Sequence, residues 1–195
     1  MARKLIAEGT NAWNLISRNY RHVHWDNVVI EIEEHFMRIA KCSSRSLTHQ
    51  VLSLSLLILL ELSPRSKSWS FVFVILTWNC NQDFDLLRRI CGCYEYITQE
   101  NFETMWCWLF PVASAVSRGL INGMWRSASP KWIEGFVTKE EAERSLQNQV
   151  PGTFILRFPT SRSWPHPDAG SVVVTYVGHD LVIHHRLLTI NHICE

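Results

Sequence analysis

The sequence predicts an α+β protein: a helical stretch followed by an antiparallel sheet with one helix beside it. Three observations carry this reading. Apolar residues recur at steps of three and four across 26–40 and again across 83–97, the period of an amphipathic helix. In the last third the pattern changes to alternation, in TFILRFP, SVVVTYV and LVIHHRLL, which are rich in β-branched and aromatic residues. Between the two regions, Thr138 and Glu141 have the spacing of a capping box and open the short helix KEEAERSLQ. Helices first and strands afterwards is the order of an α+β chain.

Each element has its own warrant. The opening MARKLIAEGTNAW is basic but has no long apolar core and no small-residue cleavage site, so it does not read as a secretory signal. In DNVVIEIEEHFMRIA, Asp26 is the expected N-cap and Val29, Ile32, Phe36 and Ile39 form the apolar stripe. A second helix is expected from Asp83, with Leu86, Leu87, Ile90, Tyr94 and Ile97 on its buried side. A third, ENFETMWCWLFPVASAVS, places Phe102, Trp106 and Leu109 on one face and Trp108 on another, so it is expected to be covered on two sides. Pro111 is expected to kink or end it, because proline removes a helix amide.

Composition narrows the function. Apolar residues make up 47% of the chain and charged residues 19%, the balance of a folded domain. A net charge of +1 creates no global field for nucleic acid or acidic lipid, so any anion site is local. The cysteines, Cys42, Cys80, Cys91, Cys93, Cys107 and Cys194, contain no C-x-x-C pair. They read as reduced thiols of a cytosolic or nuclear protein rather than zinc ligands. Ser161, His184 and Asp180 assemble into a triad only on paper. With no nucleophile elbow, metal cluster or phosphate loop, the chain does not read as an enzyme and calls for no cofactor.

The chemistry concentrates around one strand. Alternation in 153–158 sets Phe154, Leu156 and Phe158 on one face and Ile155 and Arg157 on the other. With both faces apolar, the strand reads as central and buried, where an arginine is costly unless its charge is paired. The strand contains no acid, and the loop PTSRSWPHPD offers only Asp168. A guanidinium whose partner comes from outside accounts for this better than an internal ion pair, and its fork matches two phosphate oxygens. Lys139 in the first turn of the capped helix has the wrong sign for the helix dipole, which an anion nearby would relieve. Thr160 and Ser161 add hydroxyls in a turn able to form an anion nest. Phosphotyrosine, with its roughly −1.5 to −2 charges, suits such a convergence. Of His184 and His185, which face opposite ways on the last strand, one is expected against the phosphotyrosine ring.

At these residues the chain resembles a known family. WIEGFVTKEEAERSLQNQVPGTFILRFPTS is similar to the start of the Src-homology-2 (SH2) domain of STAT transcription factors, with their G-F-I-x-K…P-G-T-F-L-L-R-F-S pattern. WCWLFPVASAVSRGLINGMW resembles the helical linker before that domain. The arrangement is most similar to plant STAT-type linker–SH2 proteins, over about residues 12–189 without 51–82. The resemblance implies a helical linker followed by an SH2-like antiparallel sheet flanked by helix, with the C-terminal part of the domain truncated. It implies Arg157 at the base of a phosphotyrosine pocket, Lys139 as the helix cation, Thr160 and Ser161 in the phosphate loop, and His184 as the strand histidine. The implied partner is a tyrosine-phosphorylated protein or peptide in the cytoplasm or nucleus, with no small-molecule substrate and no membrane. The DNA-binding domain that precedes the linker in that family is not read in this sequence, so DNA binding is not expected. Two departures stand out. Pro159 replaces the usual first serine of the loop, and Trp164, Pro165 and Pro167 lengthen it. With these departures and the missing C-terminal half, the competing expectation is a phosphate-binding-deficient interaction scaffold.

The expected divisions are 1–50, the helical first part of the linker; 51–82, an atypical hydrophobic insertion; 83–130, the helical linker; and 131–195, the SH2-like domain. The insertion, VLSLSLLILLELSPRSKSWSFVFVILTWNCNQ, holds two apolar runs, each too short for the roughly 20 residues of a membrane span. Gln50–Val51 is compatible with a CAG–GT splice donor, Gln82 with an AG acceptor, and the codons are thymine-rich, as plant introns are. A translated intron joining Gln50 to Asp83, and a genuine hydrophobic hairpin or strand pair, both account for it.

Overall fold

A computed structural model describes residues 2–41, 84–126, 133 and 135–188. The expectations for 51–82, for a helix start at Asp83 and for the final TINHICE lie outside the described residues. Among the described residues the α+β expectation is borne out. In chain order they form α1 (Ala2–Ser17), β1 (His22–His24), α2 (Trp25–Ile39), α3 (84–91), β2 (Tyr96–Thr98), α4 (Gln99–Val116), α5 (Gly119–Arg126), α6 (Lys139–Leu146), β3 (Phe154–Arg157), β4 (Val172–Val177) and β5 (Ile183–Leu188).

The helical part is built on α4. A capping box starts it: the Thr98 hydroxyl accepts from the Asn101 amide, and the Asn101 side chain accepts from the Thr98 amide. Phe102, Met105, Trp106, Trp108, Leu109, Phe110, Val112 and Val116 are all buried, so the helix is apolar all round. Each such aromatic contributes roughly 1.5–3 kcal/mol by leaving water. Helices α1 and α2 cover one side through Trp13, which meets Phe102 at 5.5 Å, and His35, which meets Trp106 at 6.4 Å.

Three expectations here need correction. Helix α2 starts at Trp25 with His24 as N-cap, and its buried face is Trp25, Val28, Ile32, His35 and Phe36, with Val29 and Ile39 only partly covered. The helix is rotated toward the two neighbours that cover it, which sequence spacing does not see. Tyr94 is 86% exposed, because α3 ends at the left-handed Gly92 (φ 66°) and the chain then enters β2, antiparallel to β1. Pro111 does not end α4, which runs on to Val116. The carbonyl that a Pro111 amide would have bonded is that of Cys107, four residues back. That carbonyl accepts instead from the Trp164 amide at 2.9 Å, in the long loop after β3.

The second sheet has the order β3–β4–β5, antiparallel throughout. Central position falls to β4 rather than β3, whose outer edge is joined by an isolated parallel bridge between Ile133 and Leu156. Directly paired residues share a face. Leu156, Phe158 and Val172 therefore turn toward the helical core, while Arg157, Val173, Thr175 and Val177 turn the other way, toward α6 with its buried Ala142 and Leu146. Phe136 sits at the junction, with ring centroids 5.1 Å from Trp108, 5.6 Å from Phe36 and 5.8 Å from Trp125. Arg89 of α3 reaches Glu141 of α6 at 3.1 Å on the surface.

The loop between β3 and β4 lies on α4 at three points. Besides the Cys107–Trp164 bond, the Trp108 indole donates to the Pro159 carbonyl at 2.9 Å, and Gly170 (φ 80°) touches the Pro111 backbone. A Cβ at position 170 would overlap the Pro111 carbonyl on a backbone conformation unfavourable to side chains. Gly170→Ala is therefore expected to cost about 2–4 kcal/mol in urea unfolding. A loss under about 0.5 kcal/mol would mean that the loop does not press on the helix.

Candidate functional site

The capping box expected at Thr138 is present. The Thr138 hydroxyl accepts from the Glu141 amide at 3.1 Å, and the Glu141 carboxylate accepts from the Thr138 amide at 2.9 Å. It holds Lys139 in the first turn of α6, above the sheet face that bears Arg157. Lys139 Nζ lies 3.5 Å from Glu143 Oε1, one turn on.

Arg157 is 5% exposed. Its Nε donates to Thr175 Oγ1 at 3.1 Å on the neighbouring strand. Its two Nη nitrogens have no hydrogen-bond partner among the described residues and still reach solvent, since only Arg88 Nε is both sealed and unpartnered there. It forms no salt bridge with a described carboxylate. Asp168, the one acid of the adjoining loop, bonds Arg162 at 2.6 Å instead. Burial lowers the basicity of Arg157, while the charges of Glu140 and Glu143 raise it. A guanidinium is basic enough to stay charged throughout.

Thr175 is fully buried and passes the contact on. Its hydroxyl lies 3.0 Å from His185 Nδ1, and His185 Nε2 lies 2.9 Å from Glu143 Oε1. The partners fix a direction for neutral His185. The Glu143 carboxylate can only accept, so Nδ1 is the acceptor for the Thr175 hydroxyl, whose oxygen in turn accepts from Arg157 Nε–H. The ring hydrogen then sits on Nε2 and goes to the carboxylate. The hydrogen bond from His185, and then the charge of Lys139, hold the Glu143 carboxyl below the usual carboxylate range. Arg157, Thr175, His185, Glu143 and Lys139 thus form one connected set on four elements.

Of the residues expected from the sequence, Arg157 and Lys139 are linked through Thr175, His185 and Glu143. Thr160 and Ser161 lie in the turn directly after β3, Thr160 half-buried and Ser161 exposed, and neither hydroxyl has a hydrogen-bond partner among the described residues. His184 requires correction. It pairs with Tyr176, not Thr175, and so points to the opposite face, where its ring stacks on Tyr176 at 5.4 Å and its Nε2 lies 3.2 Å from Asp180. His185 takes the place beside Arg157. The missed residues are Thr175 and Glu143, while His185 is the other of the two strand histidines the sequence offers. Thr175 had a signal, as the one polar residue in phase with Val173 and Val177.

Over all 195 residues the chain is 83% identical to SH2 domain-containing protein A and 69% identical to SH2 domain-containing protein B, both of Arabidopsis thaliana. Over 91 residues, 45% of the chain, it is 31% identical to signal transducer and activator of transcription 4 of Homo sapiens, of which that match covers 10%. The chain is a relative of the STAT-type SH2 proteins. It spans 25% and 24% of the lengths of the two Arabidopsis proteins, and both alignments run through the insertion at 51–82. No family model matches it.

In this SH2-type relative, Thr175 is the hinge between the guanidinium and the histidine. Thr175→Val keeps the shape but strips Arg157 Nε and His185 Nδ1 of their partner. It is expected to cost about 1–3 kcal/mol in chemical denaturation. Serine at the same position should restore most of the loss. An unchanged midpoint for the valine variant would show that the bonds carry no weight.

Proposed function

We propose that the chain is a non-enzymatic, phosphotyrosine-binding adaptor of the STAT-type SH2 class, acting in signal transduction in the cytoplasm or nucleus. One observation carries the reading: a buried arginine whose nearest polar partner is a hydroxyl, leaving its two Nη donors for an anion from outside. A tyrosine phosphate would place two oxygens on that fork, with Lys139 at its flank. Thr160 and Ser161 are the hydroxyls in reach of the same end of β3, and His185 stands where His184 was expected. The names of the relatives, SH2 domain-containing proteins and a signal transducer, support the same class. The partner is then a tyrosine-phosphorylated protein or peptide, with no direct contact to DNA. No helix among the described residues is long and apolar enough to cross a membrane.

A second reading, an interaction scaffold that no longer takes phosphate, draws on Pro159. That residue supplies neither hydroxyl nor amide to the loop, and its carbonyl is committed to Trp108. One titration separates the two. A peptide pool with a central phosphotyrosine and its unphosphorylated twin are added to the chain and to Arg157→Ala, and binding is followed by fluorescence anisotropy. The phosphorylated pool is expected to bind the chain at least tenfold more tightly than the twin. Charge-assisted bonds of about 1.5–3 kcal/mol put the loss in Arg157→Ala at roughly 10- to 150-fold. Equal binding of both pools to the unaltered chain would assign it to the scaffold reading.

A further inference from the structure

The relay that begins at Arg157 contains one carboxylate, Glu143, while Glu140 of the same helix acts on Arg157 by charge alone, and the position of Glu143 is unusual for a site that receives an anion. Glu143 Oε1 is 2.9 Å from His185 Nε2 and 3.5 Å from Lys139 Nζ. It therefore occupies the donors of two of the three basic side chains that line this face, and it terminates the relay that begins at Arg157 Nε. We infer that Glu143 is an internal stand-in for the phosphate, a carboxylate that satisfies Lys139 and His185 until an anion arrives and sets the affinity of the site by having to give way. The inference rests on the phosphotyrosine reading of the pocket.

The geometry fits an occupant that leaves. The Glu143 side chain is 39% exposed and Lys139 56%, so water and salt screen the pair and it holds only weakly. The buried part of the network is the other end: Arg157 and Thr175 lie within the fold, while the carboxylate arrives from the helix surface. A phosphate seated on Arg157 would bring a second anion to the face that already carries Glu143, and like charges on one face repel. Relief comes when the Glu143 side chain rotates outward to solvent, which frees Lys139 Nζ and His185 Nε2 to turn to the phosphate. A carboxylate bound elsewhere in the fold, such as Glu141 in its capping box, has no such freedom. Charge at position 143 is thus a specificity element. It penalises weakly charged ligands that hold on through Lys139 and His185 alone, and passes those able to claim Arg157.

Glu143→Gln tests this, because an amide oxygen still accepts from His185 Nε2 while the negative charge is gone. The probe is N-acetyl-phosphotyrosine amide, with N-acetyl-tyrosine amide and inorganic phosphate alongside, titrated into the chain, Glu143→Gln and Arg157→Ala and followed by NMR shifts of the His185 ring. Glu143→Gln is expected to bind the phosphotyrosine probe about three- to tenfold more tightly than the unaltered chain, with a smaller gain at high salt. Inorganic phosphate, which has no ring to seat beside the strand, should gain by a similar factor from a weaker start. Unchanged or weaker binding in Glu143→Gln, with the unaltered chain still preferring the phosphorylated probe, would overturn the inference and make Glu143 a positioning residue for Lys139 and His185. If neither protein distinguishes the phosphorylated probe from the plain one, the phosphotyrosine reading itself fails and this inference with it. Thermal unfolding of each variant is read in parallel. An unfolded Glu143→Gln would likewise overturn the inference, since a carboxylate that gives way cannot be essential to the fold.

Discussion

The described structure depends on one helix that is wanted on every side. Apolar residues run round the whole circumference of α4, so α1 and α2 can satisfy only part of it, and the rest is covered by Phe136 and the loop that follows β3. Pro111 makes that second contact directional. By removing its own amide it leaves the Cys107 carbonyl without a helical partner, and the Trp164 amide supplies one. Trp108 adds a hydrogen bond to the Pro159 carbonyl two residues beyond Arg157. The loop nearest the candidate anion site is therefore held by the helical part of the chain. Helices and sheet share a core instead of touching at a surface.

On the other face of the sheet the governing quantity is charge. A guanidinium loses hydration when strand pairing buries it, and the fold offers it a hydroxyl at Nε and the distant charges of Glu140 and Glu143. An adjacent carboxylate would stabilise the cation better, but it would also consume the fork. With Glu143 set behind Thr175 and His185, its carboxylate joins the same network while the Nη nitrogens of Arg157 stay uncommitted. The sheet can tolerate this because Thr175 is itself fully satisfied, accepting from one neighbour and donating to the next.

Where sequence reading and structure part, the cause is each time a neighbour far away in the chain. Spacing puts the stripe of α2 on Val29, Ile32, Phe36 and Ile39; Ile32 and Phe36 are buried, yet the helix turns Val28 and His35 inward in place of the other two because α1 and α4 cover that side. Tyr94 followed the helical period on paper, but Gly92 in a left-handed conformation ends the helix and starts a strand. Pro111 should have broken α4 by local rules, and the Trp164 amide repairs the loss. His184 and His185 show the sharpest case, since alternation says only that they oppose one another. The pairing of His185 with Thr175 decides which one joins Arg157, and a shift of one residue would exchange them.

The sequence by itself determined what local physics can settle. Capping-box spacing set the start of α6 at Lys139, alternation put Arg157 opposite Leu156 and Phe158, and the lack of an acid in the strand marked the arginine as a candidate anion site. Its motif around the same residues already pointed to the STAT-type relatives. Tertiary structure alone decided who meets the guanidinium. Thr175, His185 and Glu143 come from two strands and a helix separated by up to 42 residues, and their meeting depends on sheet register and on how α6 lies across the sheet. Periodicity fixes the face on which a side chain stands, but the distance to a partner on another element is set only when both pack against a common core.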